Sequence, residues 1–123
     1  MIAFPFSLRG STVLRVALPL AIGATVLALP GAAAAEEKCT QIHEVDIQHV
    51  FTPKLMVIKQ GECIRFTNNH TIEHSAIGLQ REFNTGTLMP GSTAVVRFPE
   101  AAAIPFWCGL HPPMMGNIVV EAN

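Results

Sequence analysis

Residues 106–116 read FWCGLHPPMMG and contain the most chemically distinctive cluster of side chains in the 123-residue sequence. Cys108, His111 and Met114 follow one another at the spacing C-x2-H-x2-M, so a thiolate, an imidazole and a thioether lie within seven residues. A tight loop with two residues between successive donors turns these side chains towards one point. Thiolate and thioether sulfur beside imidazole nitrogen suit copper, because soft sulfur ligands stabilise Cu(I). The stretch therefore predicts a metal-binding loop.

A second histidine is needed to complete a trigonal site of two imidazoles and one thiolate with a weak axial methionine. His74 is the best candidate, because it follows a polar turn at residues 68–73 and opens an apolar stretch that reads as a strand. His70 is its nearest competitor, but it lies inside the polar turn, where we expect it to face solvent. The other two histidines, His43 and His49, fall in a polar-rich strand and are expected at the surface.

Short alternating stretches separated by turn residues follow one another along residues 36–123, and no segment shows a convincing helical period. Such spacing predicts an all-β sandwich or barrel. Residues 80–92 are the least strand-like segment and are expected to form an irregular connection or a single helical turn. The predicted strands are 43–49, 55–59, 63–67, 75–79, 93–98, 104–108 and 117–121.

Residues 1–35 have the layout of a secretory signal peptide. They contain two arginines and no acidic residue, a 14-residue apolar run at 16–29, and small residues at 33–35 that form a cleavage site. A membrane anchor is the alternative, but the run is interrupted by Pro19 and is shorter than the roughly 20 residues that span a bilayer. We therefore expect two parts: a signal peptide, 1–35, and a mature domain, 36–123, in the periplasm.

The composition of residues 36–123 restricts the class of protein. Six Lys and Arg residues stand against nine Asp and Glu residues, which gives a formal net charge of −3. An acidic domain of this size is a poor candidate for nucleic-acid binding, which relies on basic patches. Half of the whole sequence is apolar, so the chain can form a core and is not expected to be disordered.

All three cysteines lie after residue 35, and an odd number in an exported protein requires an explanation. A thiolate that coordinates a metal is protected from oxidation, and Cys108 has ligand-type neighbours. That leaves Cys39 and Cys63 for a disulfide in an oxidising compartment. The alternative is that Cys39 is a free thiol near the new N-terminus.

The ordered set of motifs resembles the cupredoxins, and within them the amicyanin and pseudoazurin–plastocyanin group. The similarity extends from about Val45 to Glu121, and the short ligand loop with Pro112 directly after His111 is most similar to amicyanin. The motifs that carry it are Phe51-x-Pro53, Val57-x-x-x-Gly61-Glu62, Phe66-Thr67-Asn68, His74, Pro90-Gly91 and the terminal stretch from Cys108 through Gly116 to Glu121.

The resemblance implies a Greek-key β-sandwich of about eight strands with one type 1 copper ion at its end. It implies that His74, Cys108, His111 and Met114 bind the copper. Met115 is the alternative axial ligand, but the family pattern places the ligand methionine two residues before a glycine, as Met114 stands before Gly116.

One pair of positions departs from the family pattern. Many relatives place an asparagine after the first histidine ligand, hydrogen-bonded to a Ser or Thr that follows the cysteine. Ser75 and Gly109 occupy these positions here, so that bridge between the two ligand-bearing segments cannot form. We expect the change to affect loop rigidity and reduction potential.

The resemblance implies a one-electron carrier that cycles between Cu(I) and Cu(II). A copper chaperone or storage protein is the alternative, which would use the additional histidines and Met89. An enzyme of the multicopper oxidase or nitrite reductase kind is not expected, because it needs further copper centres.

Expected partners are redox proteins such as a periplasmic dehydrogenase, for example an amine dehydrogenase, and a c-type cytochrome. The protein is expected to be a monomer, with neither nucleic acid nor a membrane as a partner after cleavage.

Overall fold

A computed structural model describes residues 38–123. The predicted signal peptide, 1–35, and its cleavage site lie outside the described residues. Eight strands form the described part of the chain: β1 Ile42–Ile47, β2 Phe51–Thr52, β3 Leu55–Lys59, β4 Cys63–Asn68, β5 Ile77–Gly78, β6 Thr93–Arg97, β7 Ala102–Trp107 and β8 Met115–Glu121.

The strands form two four-stranded sheets that enclose one core. The first sheet has the order β2-β1-β4-β6 and the second the order β3-β8-β7-β5. β1 pairs with β4 in parallel and β3 pairs with β8 in parallel, while the other pairs are antiparallel. The prediction of an all-β sandwich with about eight strands is confirmed.

Phe106 lies at the centre of the core between the sheets. The centroid of its ring lies 4.6, 5.8 and 5.9 Å from the ring centroids of Phe51, Phe66 and Phe83. Aromatic rings at such separations bury large apolar surfaces and add favourable edge and offset contacts. The core continues to the end of the sandwich where β7 ends, because Cys108 and Met114 belong to the same buried cluster.

The segment 75–92 agrees with the prediction in part. The expected strand 75–79 is reduced to β5, whereas residues 80–92 form the expected irregular connection. The strand ends early because the chain folds back here. The Thr85 N–H donates to the carbonyl of Ala76, and the Thr85 hydroxyl accepts a hydrogen bond from the Ala76 N–H.

Within residues 38–123, no helix is long and apolar enough to cross a membrane.

The disulfide Cys39–Cys63 is confirmed. The two Cα atoms lie 5.5 Å apart, within the usual range for a bridged pair. β4 begins at Cys63 and ends at Asn68. The Asn68 end lies near the predicted metal site, because the Asn68 side chain donates to the carbonyl of Leu88. The disulfide therefore closes the opposite end of the sandwich.

Candidate metal centre

The loop between β7 and β8 holds three of the four predicted ligands. The two strands are antiparallel and pair as far as Trp107 and Met115. Beyond this pair, the N–H of Cys108 donates to the carbonyl of Met114 over 2.9 Å. The N–H of Met114 donates to the carbonyl of His111 over 2.9 Å, and the N–H of His111 donates to the carbonyl of Cys108 over 3.3 Å. These bonds make residues 108–114 a compact loop.

His74 enters the same region from the irregular segment before β5. Its main chain forms a two-bond antiparallel bridge with Leu88, with N···O distances of 3.1 and 2.7 Å. The next residue, Ser75, directs its N–H at the Sγ of Cys108 over 3.4 Å. This contact joins the two parts of the site, since Ser75 and Cys108 are 33 residues apart in sequence.

The donor atoms of His74, Cys108 and His111 converge. The Sγ of Cys108 lies 3.6 Å from the Nδ1 of His74 and 3.6 Å from the Nδ1 of His111. All three donor atoms lie within 4.8 Å of one another. Both imidazoles therefore present the same nitrogen, Nδ1, to the thiol.

These separations fit a single first-row metal ion among the three donors. Bonds of about 2.0 Å to nitrogen and 2.3 Å to sulfur are usual for such an ion. Two bonds of those lengths at a trigonal angle place their donors about 3.7 Å apart, close to the two sulfur–nitrogen distances in the site. Two imidazoles and one thiolate in a plane form the donor set of a type 1 copper site. The donors present thus fit copper.

The site lies at the boundary between the core and solvent. Cys108 is fully buried and His74 is 2% exposed, whereas His111 is half-buried. Burial is the main cause that lowers the pKa of His74, and the neighbouring His111, His70 and His49 lower it further. A lowered pKa favours the neutral imidazole, which is the form that binds a metal.

Met114 and Met115 face different environments. Met114 is 7% exposed and belongs to the core cluster, whereas Met115 is 48% exposed at the start of β8. The main chain of Met114 is also bonded to Cys108. These facts favour Met114 over Met115 as the axial ligand, and that role stays a prediction.

The three other histidines do not all face solvent as expected. His70 is half-buried, and its Nδ1 lies 2.8 Å from the Nε2 of His74. The expectation that His70 is solvated is wrong, because the polar turn folds back over the site. His49 is exposed, but its ring contacts that of His70 at a centroid distance of 4.3 Å. His43 lies elsewhere, with its Nε2 2.8 Å from a carboxylate oxygen of Glu62.

Ser75 and Gly109 link the two ligand-bearing segments in a way that the sequence did not suggest. A side-chain bridge cannot form at these positions, because residue 109 is a glycine, but the N–H of Gly109 donates to Ser75 Oγ over 2.9 Å. The Ser75 hydroxyl also lies 4.0 Å from the Sγ of Cys108. A serine therefore connects the segments through the main chain of the glycine.

Comparison with solved structures identifies the architecture. A purple cupredoxin from Nitrosopumilus maritimus is 19% identical, with a TM-score of 0.60 over 63% of this chain and 98% of that one. A variant of amicyanin in its reduced state is 23% identical, with a TM-score of 0.59 over 71% of this chain and 89% of that one. The chain has the cupredoxin fold.

The same fold is found within a larger copper protein. A Cu-containing nitrite reductase from Thermus scotoductus is 24% identical, with a TM-score of 0.58 over 64% of this chain and 22% of that one. No family model matches the chain, and no curated protein matches it in sequence. At these identities the likeness is one of fold, so the function must be argued from the site at the end of the cupredoxin sandwich.

Proposed function

We propose that the protein is a type 1 copper protein that carries single electrons between redox partners. The observation that carries the proposal is the fully buried thiol of Cys108, which lies 3.6 Å from the Nδ1 atoms of both His74 and His111. The cupredoxin fold supports the proposal, since the solved structures with this fold include a purple cupredoxin, amicyanin and a copper-containing reductase.

His74, Cys108 and His111 would hold the copper, with Met114 as a fourth, weaker ligand. Bound copper supplies one redox electron by cycling between Cu(I) and Cu(II). The protein provides a preformed donor set, of which Cys108 and His74 are buried and His111 is half-buried. The Ser75 N–H is aimed at the Cys108 sulfur, and such hydrogen bonds tune the potential of a thiolate-bound metal.

His111 provides the route by which an electron would leave the site. It is the only half-buried member of the converging donor group in the described residues, and the other two are buried. Two surface depressions that include it are lined by the exposed apolar residues Val50, Ile72, Leu110 and Met115, and each also contains one charged residue, Lys54 in the first and Glu73 in the second. A largely apolar surface around a redox ligand suits brief docking, because few charges must be desolvated.

A copper chaperone or storage protein is the alternative function, and the surroundings of the site favour the carrier. A chaperone needs accessible ligands that exchange their metal, whereas Cys108 and His74 are buried. The additional histidines are also engaged in other contacts. His70 is bonded to His74, and His43 is bonded to Glu62.

We further propose that the protein works in the periplasm as a non-enzymatic carrier. The signal-peptide pattern of residues 1–35 supports export, and the Cys39–Cys63 disulfide supports an oxidising compartment. A dehydrogenase as electron donor and a c-type cytochrome as acceptor are the proposed partners. The match to the nitrite reductase covers 22% of that enzyme, so it supports a likeness to one part of the enzyme and not its activity.

Electron self-exchange of the copper-loaded protein tests the proposal. Pro113→Glu places a charge beside His111 without changing a ligand. We expect an unchanged visible spectrum and a slower self-exchange rate at low ionic strength, where the added charge is least screened. Glu100→Gln, a charge change at an exposed residue before β7, is the control. Rapid transfer of copper from wild-type protein to a weak chelator, together with slow electron self-exchange, would favour the chaperone function instead.

A further inference from the structure

We infer that His70 is a positioning residue for the copper site, which accepts a hydrogen bond from the His74 ring and holds that ring in its ligand orientation. The inference rests on the proposed copper site. It concerns a residue outside the set of four predicted ligands.

The two nitrogens of His74 face different partners. Nδ1 lies 3.6 Å from the Sγ of Cys108, and Nε2 lies 2.8 Å from the Nδ1 of His70. A neutral imidazole that binds a metal through Nδ1 carries its proton on Nε2. The Nε2–H of His74 must then donate, and the Nδ1 of His70 must accept. This assignment also places the ring proton of His70 on its own Nε2.

Asn68 holds His70 in place. Asn68 is fully buried, and its side-chain oxygen accepts a hydrogen bond from the His70 N–H over 2.9 Å. Its Nδ2 donates to the carbonyls of Ile72 and Leu88, both over 2.8 Å. Leu88 is also the main-chain bridge partner of His74. One buried amide therefore ties together the turn that carries His70 and the segment that pairs with His74.

With His70 in place, His74 is 2% exposed, so its Nε2 is in contact with His70 and is shielded from solvent. A histidine ligand that donates its second N–H gains basicity and a fixed ring orientation. A more basic imidazole stabilises Cu(II) more than Cu(I), because the ion of higher charge gains more from electron donation.

The expected effect is a selective loss of Cu(II) affinity. Removing an outer hydrogen-bond partner of a ligand typically weakens metal binding by about 10–100-fold. If His70→Leu weakens Cu(II) binding about tenfold and leaves Cu(I) binding unchanged, the reduction potential rises by about 59 mV. His70→Asn should restore most of the wild-type potential, because the Asn Oδ1 takes the place of the accepting Nδ1.

Voltammetry of copper-loaded wild type, His70→Leu, His70→Asn and the control His43→Leu tests the inference. We expect a higher potential for His70→Leu alone. Equal potentials for His70→Leu and wild type would overturn the inference, even if the variant is less stable. If wild-type protein shows no intense visible copper band, the proposed function has failed, which is a different result from a normal band with an unresponsive potential.

A second measurement needs no variant and is independent of folding defects. Long-range ¹H–¹⁵N spectra of the Cu(I)-loaded wild type report which ring nitrogens are protonated. We expect a proton on the Nε2 of His74 and an unprotonated Nδ1 on His70. A proton on the His70 Nδ1 would overturn the assignment, because that atom could not then accept from His74.

Discussion

The N–H of Gly109 donates a 2.9 Å hydrogen bond to the hydroxyl of Ser75, which joins the residue after the predicted ligand Cys108 to the residue after His74. The approach is close. A Cβ atom on Gly109 would lie 2.8 Å from the terminal methyl of Ile77 and 3.3 Å from Ser75 Oγ. The two segments thus pack closely at Gly109, where a side chain would require the Ile77 methyl to move, and the serine hydroxyl links them.

Replacing Ser75 with Ala should loosen this link. The Gly109 N–H loses its acceptor, so we expect the free energy of unfolding of the copper-free protein to fall by about 1 kcal/mol. Urea denaturation measures this change. Ser92→Ala, in the turn before β6, is the matched control and should have a smaller effect. Equal losses for the two variants would show that the Ser75–Gly109 bond contributes nothing specific.

The two adjacent methionines should respond differently to the same change. Met114→Gln should alter the visible spectrum and the reduction potential of the copper-loaded protein, because an amide oxygen replaces the proposed axial thioether. Met115→Gln should leave both nearly unchanged, since Met115 is half exposed. The reverse pattern would assign the axial position to Met115.

The disulfide should stabilise the fold without affecting the metal site. Replacing both Cys39 and Cys63 with Ala opens a loop with a sequence separation of 24 residues. Chain-entropy reasoning then predicts a loss of about 3 kcal/mol in the free energy of unfolding. The visible band of the copper-loaded variant should match that of wild type, because the disulfide is at the other end of β4 from Asn68. A changed band would contradict this separation of roles.

Glu62 should contribute stability that depends on pH. The N–H of Lys59 and the ring of His43 both bond to its Oε2 over 2.8 Å, and they lower the pKa of Glu62. A carboxyl with a lowered pKa in the folded state stabilises the protein above its ordinary pKa, and this contribution is lost as the pH falls through the folded-state value.

Glu62→Gln removes the charge and keeps an oxygen acceptor. We therefore expect it to lower stability at neutral pH and to have a diminishing effect in acid, as measured by urea denaturation at several pH values. Glu100→Gln is the control at an exposed position. A loss of stability that is the same at every pH would show that the charge of Glu62 is not responsible.

The sequence predicts those parts of the site whose residues lie close together along the chain. Cys108, His111 and Met114 belong to one loop whose spacing already indicates their convergence. His74 was also identified, since a strand end is visible as a change from polar to apolar residues. The disulfide followed from the odd number of cysteines.

The remaining features depend on contacts between distant segments. The turn at 68–73 has a polar sequence that predicts exposure to solvent. Asn68 is buried, however, and the turn lies over the site. The contact between His70 and His74 was therefore not predicted. A signal was available in retrospect, because an Asn two residues before His70 can accept its N–H in a local turn. The expected strand 75–79 was too long, since pairing with β7 covers only Ile77–Gly78.

Titration of the protein with Cu(II), followed by visible absorbance, shows whether the Cys108 thiolate binds copper. We expect an intense thiolate-to-Cu(II) band that saturates at one equivalent of copper in wild type and is absent in Cys108→Ser. An intense band that persists in Cys108→Ser, or no such band in wild type, would contradict the assignment of His74, Cys108 and His111 as a type 1 copper site.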